Sequence, residues 1–178
     1  MAISTVRDVN AARFAVLAGV VVALISQIAL FLLFTGLAGL ALPPTAAAPA
    51  TFNWSVFIIW SLAGVIAAGF GGFITGWSID RGSDWDVGVL AFLGWAIAIL
   101  LVTFFGAIAA NAGSGLLRAF VSPAYAFFTP AEASAAARRT TAIASLASVI
   151  ALSLGAAAAI VGSQIAASQT TPARRRSR

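Results

Sequence analysis

The chain has 178 residues, of which 61% are hydrophobic and 8% charged, with a formal net charge of +5 and a mean hydropathy of +1.03. Soluble domains carry about three times this charged fraction. The composition therefore excludes a soluble domain and predicts an integral membrane protein. The absence of cysteine and histidine argues against disulfides, thiolate or imidazole metal sites, histidine-ligated haem and catalysis by either residue type.

Four apolar runs are long enough to cross a bilayer as helices, which takes about 20 residues each. They predict an all-α membrane protein: one four-helix transmembrane bundle that occupies residues 1–178 as a single domain. The predicted spans are, in chain order, about 14–42, 54–79, 87–111 and 141–167. The first run greatly exceeds a signal-peptide core, so we expect an uncleaved first span.

Turns are predicted at the first two connections. The paired prolines Pro43 and Pro44 end the first span, because proline lacks an amide donor and disfavours helical geometry in the residue before it. The second connection, DRGSDWD, is short and charged. We therefore expect the second and third spans to form an antiparallel hairpin, with Asp86 capping the third helix.

The third connection is too long for a tight turn and too apolar for a solvated loop. Within it, the segment GLLRAFVSPAYAFF, residues 115–128, predicts an interfacial segment that lies in the membrane surface, with Arg118 reaching the lipid head groups. The interfacial segment and the capped helix start that follows it together occupy about residues 114–139.

A capping box marks the start of that helix. Thr129 is the N-cap, Pro130 takes the first helical position, and Glu132 can return to the cap amide. A helix from Pro130 to residue 167 would be about 57 Å long, whereas the hydrocarbon layer is about 30 Å thick. The helix should therefore either project beyond the bilayer or bend near Thr140 and Thr141.

Arginine distribution predicts the orientation. Both termini share a side with the second loop, and that side carries seven arginines against three, Arg118, Arg138 and Arg139, on the other. This excess predicts a multi-pass membrane protein with both termini in the cytoplasm. The basic tail at 170–178 contains Arg174, Arg175 and Arg176, which we expect to bind anionic lipid rather than nucleic acid.

Small residues recur every four positions in two spans. The second-span stripe is Gly64, Ala68, Gly72 and Gly76, and the fourth-span stripe is Ala147, Ala151, Gly155 and Ala159, continuing to Ser163. Helix positions four apart share a face, so each stripe lets another backbone approach closely. Two interpretations stay open: the stripes hold one bundle together, or one stripe faces outward to dock a partner subunit or a second copy.

Polar residues inside the spans are few. Gln27 is the most notable, because an amide in hydrocarbon seeks an interhelical hydrogen bond. No Asp, Glu or Arg lies within a predicted membrane core, which argues against a pump or secondary transporter. Serine and threonine have no histidine, lysine or buried carboxylate to activate them, so we do not expect an enzyme.

Three motifs follow one another along the chain: an arginine that opens the first span, a tryptophan-opened second span ending in Gly-Gly-aromatic-x-x-Gly, and an aspartate turn with Gly-x-Leu before a Trp-Ala pair. The residues concerned are Arg13, Trp60, Gly71, Gly72, Phe73, Gly76, Asp86, Gly88, Leu90, Trp95 and Ala96. This pattern resembles an uncharacterised group of bacterial inner-membrane proteins known as PhnA-like. The resemblance implies a four-helix fold, a location in a bacterial inner membrane and no established chemistry.

These features predict a non-enzymatic accessory or scaffolding subunit of a larger membrane complex, such as a respiratory or photosynthetic one. Its partners would be membrane lipids and either other membrane subunits or copies of itself, with no cofactor, metal or nucleic acid. The alternative is a small oligomeric channel or transporter, in which Ser26, Gln27 and Asn111 would line a polar path.

Overall fold

A computed structural model describes residues 2–41, 54–79, 84–112 and 135–175. They form four helices: α1 Ala2–Ala41, α2 Trp54–Ser78, α3 Asp84–Ala112 and α4 Ala135–Arg175. Each contains a segment long and apolar enough to cross a membrane, namely Val9–Leu37, Phe57–Ser78, Asp86–Phe105 and Leu146–Gln169. The predicted fold class, an all-α bundle with four spans, is confirmed, and the protein is a multi-pass integral membrane protein.

The first and last helices of the chain, α1 and α4, are much longer than a bilayer requires. α1 has 40 residues and α4 has 41, about 60 Å each, so both extend beyond a hydrocarbon layer of about 30 Å. α4 is helical without interruption through Thr140 and Thr141, so its length is accommodated by projection beyond the bilayer, and a bend at these two residues stays a prediction. The predicted interfacial segment and the capping box at Thr129 and Pro130 lie outside the described residues.

The prediction that Asp86 caps α3 is wrong. α3 begins at Asp84, so Asp86 is the third residue of the helix. The sequence predicts a helix from residue 87, and the helix begins three residues earlier; amides of the first turn need no partner within the helix. The exposed Asp86 carboxylate still lies at the positive end of the helix dipole, where negative charge is favourable.

Close contacts give the direction of each helix pair. α1 and α2 are antiparallel, because Gly19 lies against Gly71 while Gln27 lies against Trp60. As residue numbers rise along α1, those of the facing residues on α2 fall. An antiparallel pair agrees with the turn that Pro43 and Pro44 predict between these two spans.

α2 and α4 are parallel, because Gly69 lies against Ala158 and Gly76 lies against Ser163. α2 packs more extensively on α4 and on α1 than on α3, although the short second connection joins α2 to α3. The pair with the most extensive contact is therefore separated in the sequence by the whole of α3.

α3 closes the bundle on the other side. It runs parallel to α1, with Gly94 against Val16, and antiparallel to α4, with Gly155 against Trp95. α1 and α4 have little direct contact. The helices thus surround the bundle axis in the order α1, α2, α4, α3, with α2 and α3 also touching across it.

Small side chains fill the interior and large ones face outward. The buried apolar residues are mostly alanine: Ala15, Ala63, Ala67, Ala68, Ala91, Ala98, Ala144, Ala159 and Ala166. The exposed ones include Phe14, Leu17, Ile25, Phe70, Leu100, Phe104, Leu146 and Val161. This distribution suits lipid, where association depends on close packing rather than on removal of apolar surface from water.

Four spans place both chain ends on one side of the membrane, and the natural absence of cysteine makes this testable with single-cysteine variants. We expect Ser4→Cys and Ser177→Cys to react with a membrane-impermeant maleimide only when it has access to the cytoplasmic side, and Thr45→Cys only from the other side. Labelling of Ser4→Cys and Ser177→Cys from opposite sides would contradict a four-span topology.

Candidate functional site

The α2–α4 interface is a contact between two backbones. A Cβ built on Gly72 would overlap the carbonyl oxygen of Ala159 and lie 2.7 Å from its Cα, and a Cβ built on Gly76 would overlap the carbonyl oxygen of Ser163 and lie 2.8 Å from its Cα. Real Cβ atoms do not approach neighbours this closely. Gly72 and Gly76 therefore form a GxxxG motif that faces a small-xxx-small pair on the parallel partner helix.

The same interface requires a glycine on α4. A Cβ built on Gly162 would overlap the carbonyl oxygen of Gly69 and lie 3.2 Å from the amide nitrogen of Phe73. Ser163 is fully buried, and its hydroxyl donates to the carbonyl of Ile160 in its own helix, at 2.7 Å. The hydroxyl is thus satisfied within α4, and the interface depends on shape rather than on polar contacts.

A second close approach joins α1 to α2. A Cβ built on Gly19 would lie 2.7 Å from the carbonyl oxygen of Gly71, and a Cβ built on Gly71 would lie 2.7 Å from the carbonyl oxygen of Gly19. Thr75 is 1% exposed, and its hydroxyl donates to the Gly71 carbonyl at 3.0 Å. The Thr75 oxygen occupies the space that a side chain at Gly19 would need.

Gln27 forms the predicted interhelical hydrogen bond, so this prediction is confirmed. Its Nε2 donates to the carbonyl of Trp60 on α2 at 3.1 Å. A Cβ built on Gly64 would lie 3.1 Å from the Gln27 Oε1. Gly64 therefore makes room for an amide side chain, whereas Gly72 and Gly76 make room for a backbone.

The second-span stripe contacts two different helices. Residues four apart in an α-helix are offset by about 40°, so the stripe rotates by about 120° between its first and last member. Gly64 lies against α1, and Gly72 and Gly76 lie against α4. Ala68, between them in the sequence, is 6% exposed.

The fourth-span stripe drifts in the same way. A Cβ built on Gly155 would lie 2.9 Å from Nε1 of Trp95 on α3, whereas Ala159 contacts α2. Ala147 and Ala151 are half-buried. Gly64, Gly72, Gly76, Gly155 and Ala159 thus contact other helices of this chain, and docking of a partner by either stripe stays a prediction.

Sequence reasoning did not single out Gly19, Gly71 and Gly162 as packing residues. A signal existed, because Ala15, Gly19 and Ala23 also recur every four positions on α1. This stripe on α1 has three small residues rather than four, and large apolar residues surround it in the sequence, so it is harder to recognise.

The predicted lipid-binding arginines divide into two sets. Arg118 and Arg176 lie outside the described residues. Arg138, Arg139, Arg174 and Arg175 fall in the end turns of α4, where their side chains lie outside what the structure describes. The same holds for the Asn111 side chain of the proposed polar path, while Ser26 is half-buried on α1.

A cavity of about 310 Å³ lies between the helices. Its walls are largely glycine, alanine and bulky apolar residues, with the indoles of Trp60 and Trp95 among them. Near one end of the cavity, each helix contributes one polar residue: Gln27 on α1, Ser61 on α2, Thr103 on α3 and Ser148 on α4. We call these four residues the polar girdle.

Helix register places the polar girdle at one level of the bundle. The Gln27 hydrogen bond to Trp60 puts Gln27 beside Ser61. Because α2 and α4 are parallel, the contact of Gly69 with Ala158 puts Ser61 opposite about residue 150, near Ser148. The corresponding count along α1 and α3 brings Thr103 to the level of Gln27.

One residue that lines the cavity has a polar atom without a partner. Ser61 Oγ is buried without a hydrogen-bond partner within the described part of the chain, although buried hydroxyls normally have one.

Comparisons of the chain with protein-family models, curated proteins and solved structures find no match. The resemblance to PhnA-like proteins stays a prediction.

We expect Gly72→Ala to lower the free energy of unfolding by about 1–3 kcal/mol, because the new Cβ meets backbone atoms and the helices must separate. Gly36→Ala on α1 is the matched control, since a Cβ there meets nothing within 4 Å; alanine should be neutral or slightly stabilising at that position. The measurement is unfolding by denaturing detergent, followed by tryptophan fluorescence. Equal stability of the two variants would refute the close α2–α4 contact.

Replacing Gln27 by methionine should cost about 0.6–2 kcal/mol in the same assay, because the hydrogen bond to the Trp60 carbonyl is lost in a dry environment. Ser153→Ala provides the control: Ser153 is exposed and its hydroxyl donates to Val149 of its own helix, so the change should stay within about 0.5 kcal/mol. A Gln27 variant as stable as the wild type would show that the bond does not contribute.

Proposed function

We propose that the protein is a non-enzymatic accessory or scaffolding subunit of a larger membrane assembly. The supporting observation is that the bundle closes on itself: the small-residue stripes meet within the chain, and large apolar side chains remain on the outside. Within the described spans, charged residues occur only near the ends, at Arg13 and Asp86. Such a molecule acts through the surfaces that it presents to its neighbours.

Partner contacts would then use the large outward side chains rather than the glycine stripes. The stripes are already covered by other helices of the chain, so a partner can bind and leave without exposing backbone to lipid. The two kinds of surface therefore have separate roles, since small residues join the four helices and bulky residues meet lipid or a second subunit.

We expect a photoreactive leucine analogue on the outward surface to form a crosslink of discrete mass to another protein in native membranes. Suitable positions, one on each helix, are Leu32, Leu62, Leu100 and Leu154, all more than half exposed. Val20, buried between α1 and α3, is the inward control and should crosslink only within the chain. Only lipid adducts at all four positions would contradict the proposal, and crosslinks of the chain only to its own copies would favour the oligomeric alternative.

A further inference from the structure

We propose that the cavity between the four helices binds a single hydrocarbon chain with a neutral, hydrogen-bond-accepting head group. The head group lies at the polar girdle, and the chain extends from there toward the middle of the membrane. This inference is independent of the accessory function, since it rests on the cavity and not on the outward surface.

Three of the four residues of the polar girdle lie at the depth of a head group. Thr103 and Ser148 lie two residues inside the ends of their spans, and Ser61 lies four residues inside its own, all within about 6 Å of the span ends along the helices. Gln27 lies ten residues inside the longer α1 span, on the side of the girdle toward the hydrocarbon. The ester and carbonyl groups of lipids lie at this same boundary between head groups and hydrocarbon.

Beyond the girdle, small residues make room for the chain. Ala67, Ala68, Ala98 and Ala159 line the cavity and are buried. Their short side chains leave a smooth apolar wall, which offers van der Waals contact and no polar group for water. The girdle and this wall together have the polarity profile of one lipid chain.

The dimensions favour an extended ligand over a compact one. The cavity is lined from Phe57 to Thr75 along α2, about 27 Å, and from Ser148 to Ala159 along α4, about 16 Å. A volume of about 310 Å³, distributed over such a length, is narrow, and it lies at the small end of the range for ligand pockets. A single chain matches this shape.

The girdle selects a neutral acceptor. The described residues that line the cavity include no Asp, Glu, Lys or Arg, so a charged head group would have no counter-charge there. Ser61 lines the cavity, and its Oγ is buried without a partner among the described residues, so rotation about χ1 would bring this hydroxyl to a carbonyl in the cavity. The shared ligand chemistry is therefore an ester or ketone oxygen on a long apolar chain, found in membrane acyl lipids and in prenyl quinones.

The probe for this proposal is 9,10-dibromostearic acid methyl ester, whose bromines quench tryptophan fluorescence on contact. The full-length protein in detergent, with Trp95 as its sole tryptophan, should show saturable quenching at about one probe per chain, because Trp95 lines the cavity. A protein with only Trp77, which is 56% exposed, should show quenching that rises without saturating, as the probe partitions into the micelle.

Two variants on one helix separate binding in the cavity from binding elsewhere. Ala151→Leu fills the cavity that Ala151 lines and should weaken binding at least tenfold, whereas Ala157→Leu, on the exposed face of α4, should leave it within about twofold. If Ala151→Leu does not fold, Ser61→Ala decides. It should weaken binding of the ester by about three- to tenfold and leave binding of dibromo-octadecane, which lacks the carbonyl, unchanged.

Mass spectrometry of solvent extracts from the purified protein distinguishes the two sources. An acyl lipid or a prenyl quinone retained at about one per chain, and lost in the cavity-filling variant, supports the proposal and identifies the source. Quenching of Trp95 that does not saturate, or that is equal in wild type, Ala151→Leu and Ser61→Ala, overturns it.

Discussion

The bundle depends on contact between backbones along α2. In lipid there is no gain from removing apolar surface from water, so helices associate through van der Waals packing and short polar contacts, both of which require close approach. Gly71 faces α1 and Gly72 faces α4. Adjacent residues point about 100° apart on a helix, so this glycine pair lets one helix hold two others. α2 thereby joins two helices, α1 and α4, that have little contact with each other.

The parts of this fold that follow from the sequence are those set by length and hydropathy. Four apolar runs, the proline turn and the charged hairpin predict the number and order of the spans, with bounds within a few residues of the helices at α2 and α3. The sequence does not, however, show which helices pack against each other. A four-residue stripe drifts by about 40° per step, so Gly64 and Gly76 belong to one pattern and face different helices. The short link also suggested α2 with α3, whereas α2 packs most extensively on α4.

Crossing helices separate with distance from their point of closest approach. In this bundle α2 and α4 touch between Gly69 and Gly76, toward the end of the membrane where α2 finishes. At the opposite end, the level of Ser61 and Ser148, the same two helices line the cavity. Small residues therefore have two consequences along one interface. At the contact, glycine permits close approach of the backbones; along the cavity, alanine and glycine leave space between the helices. The sequence predicts the first consequence through spacing, but the second depends on the crossing geometry.

The helices that line the cavity also carry the outer surface. A molecule held in the cavity would bind the folded bundle and not the separated helices, so it would stabilise the fold in proportion to the logarithm of its concentration relative to its dissociation constant. It would also set how far α2 and α4 stand apart near the polar girdle. The large side chains outside, such as Leu62 and Leu154, are carried on these same helices. The shape that the bundle offers to a neighbouring subunit would thus depend on what the cavity holds.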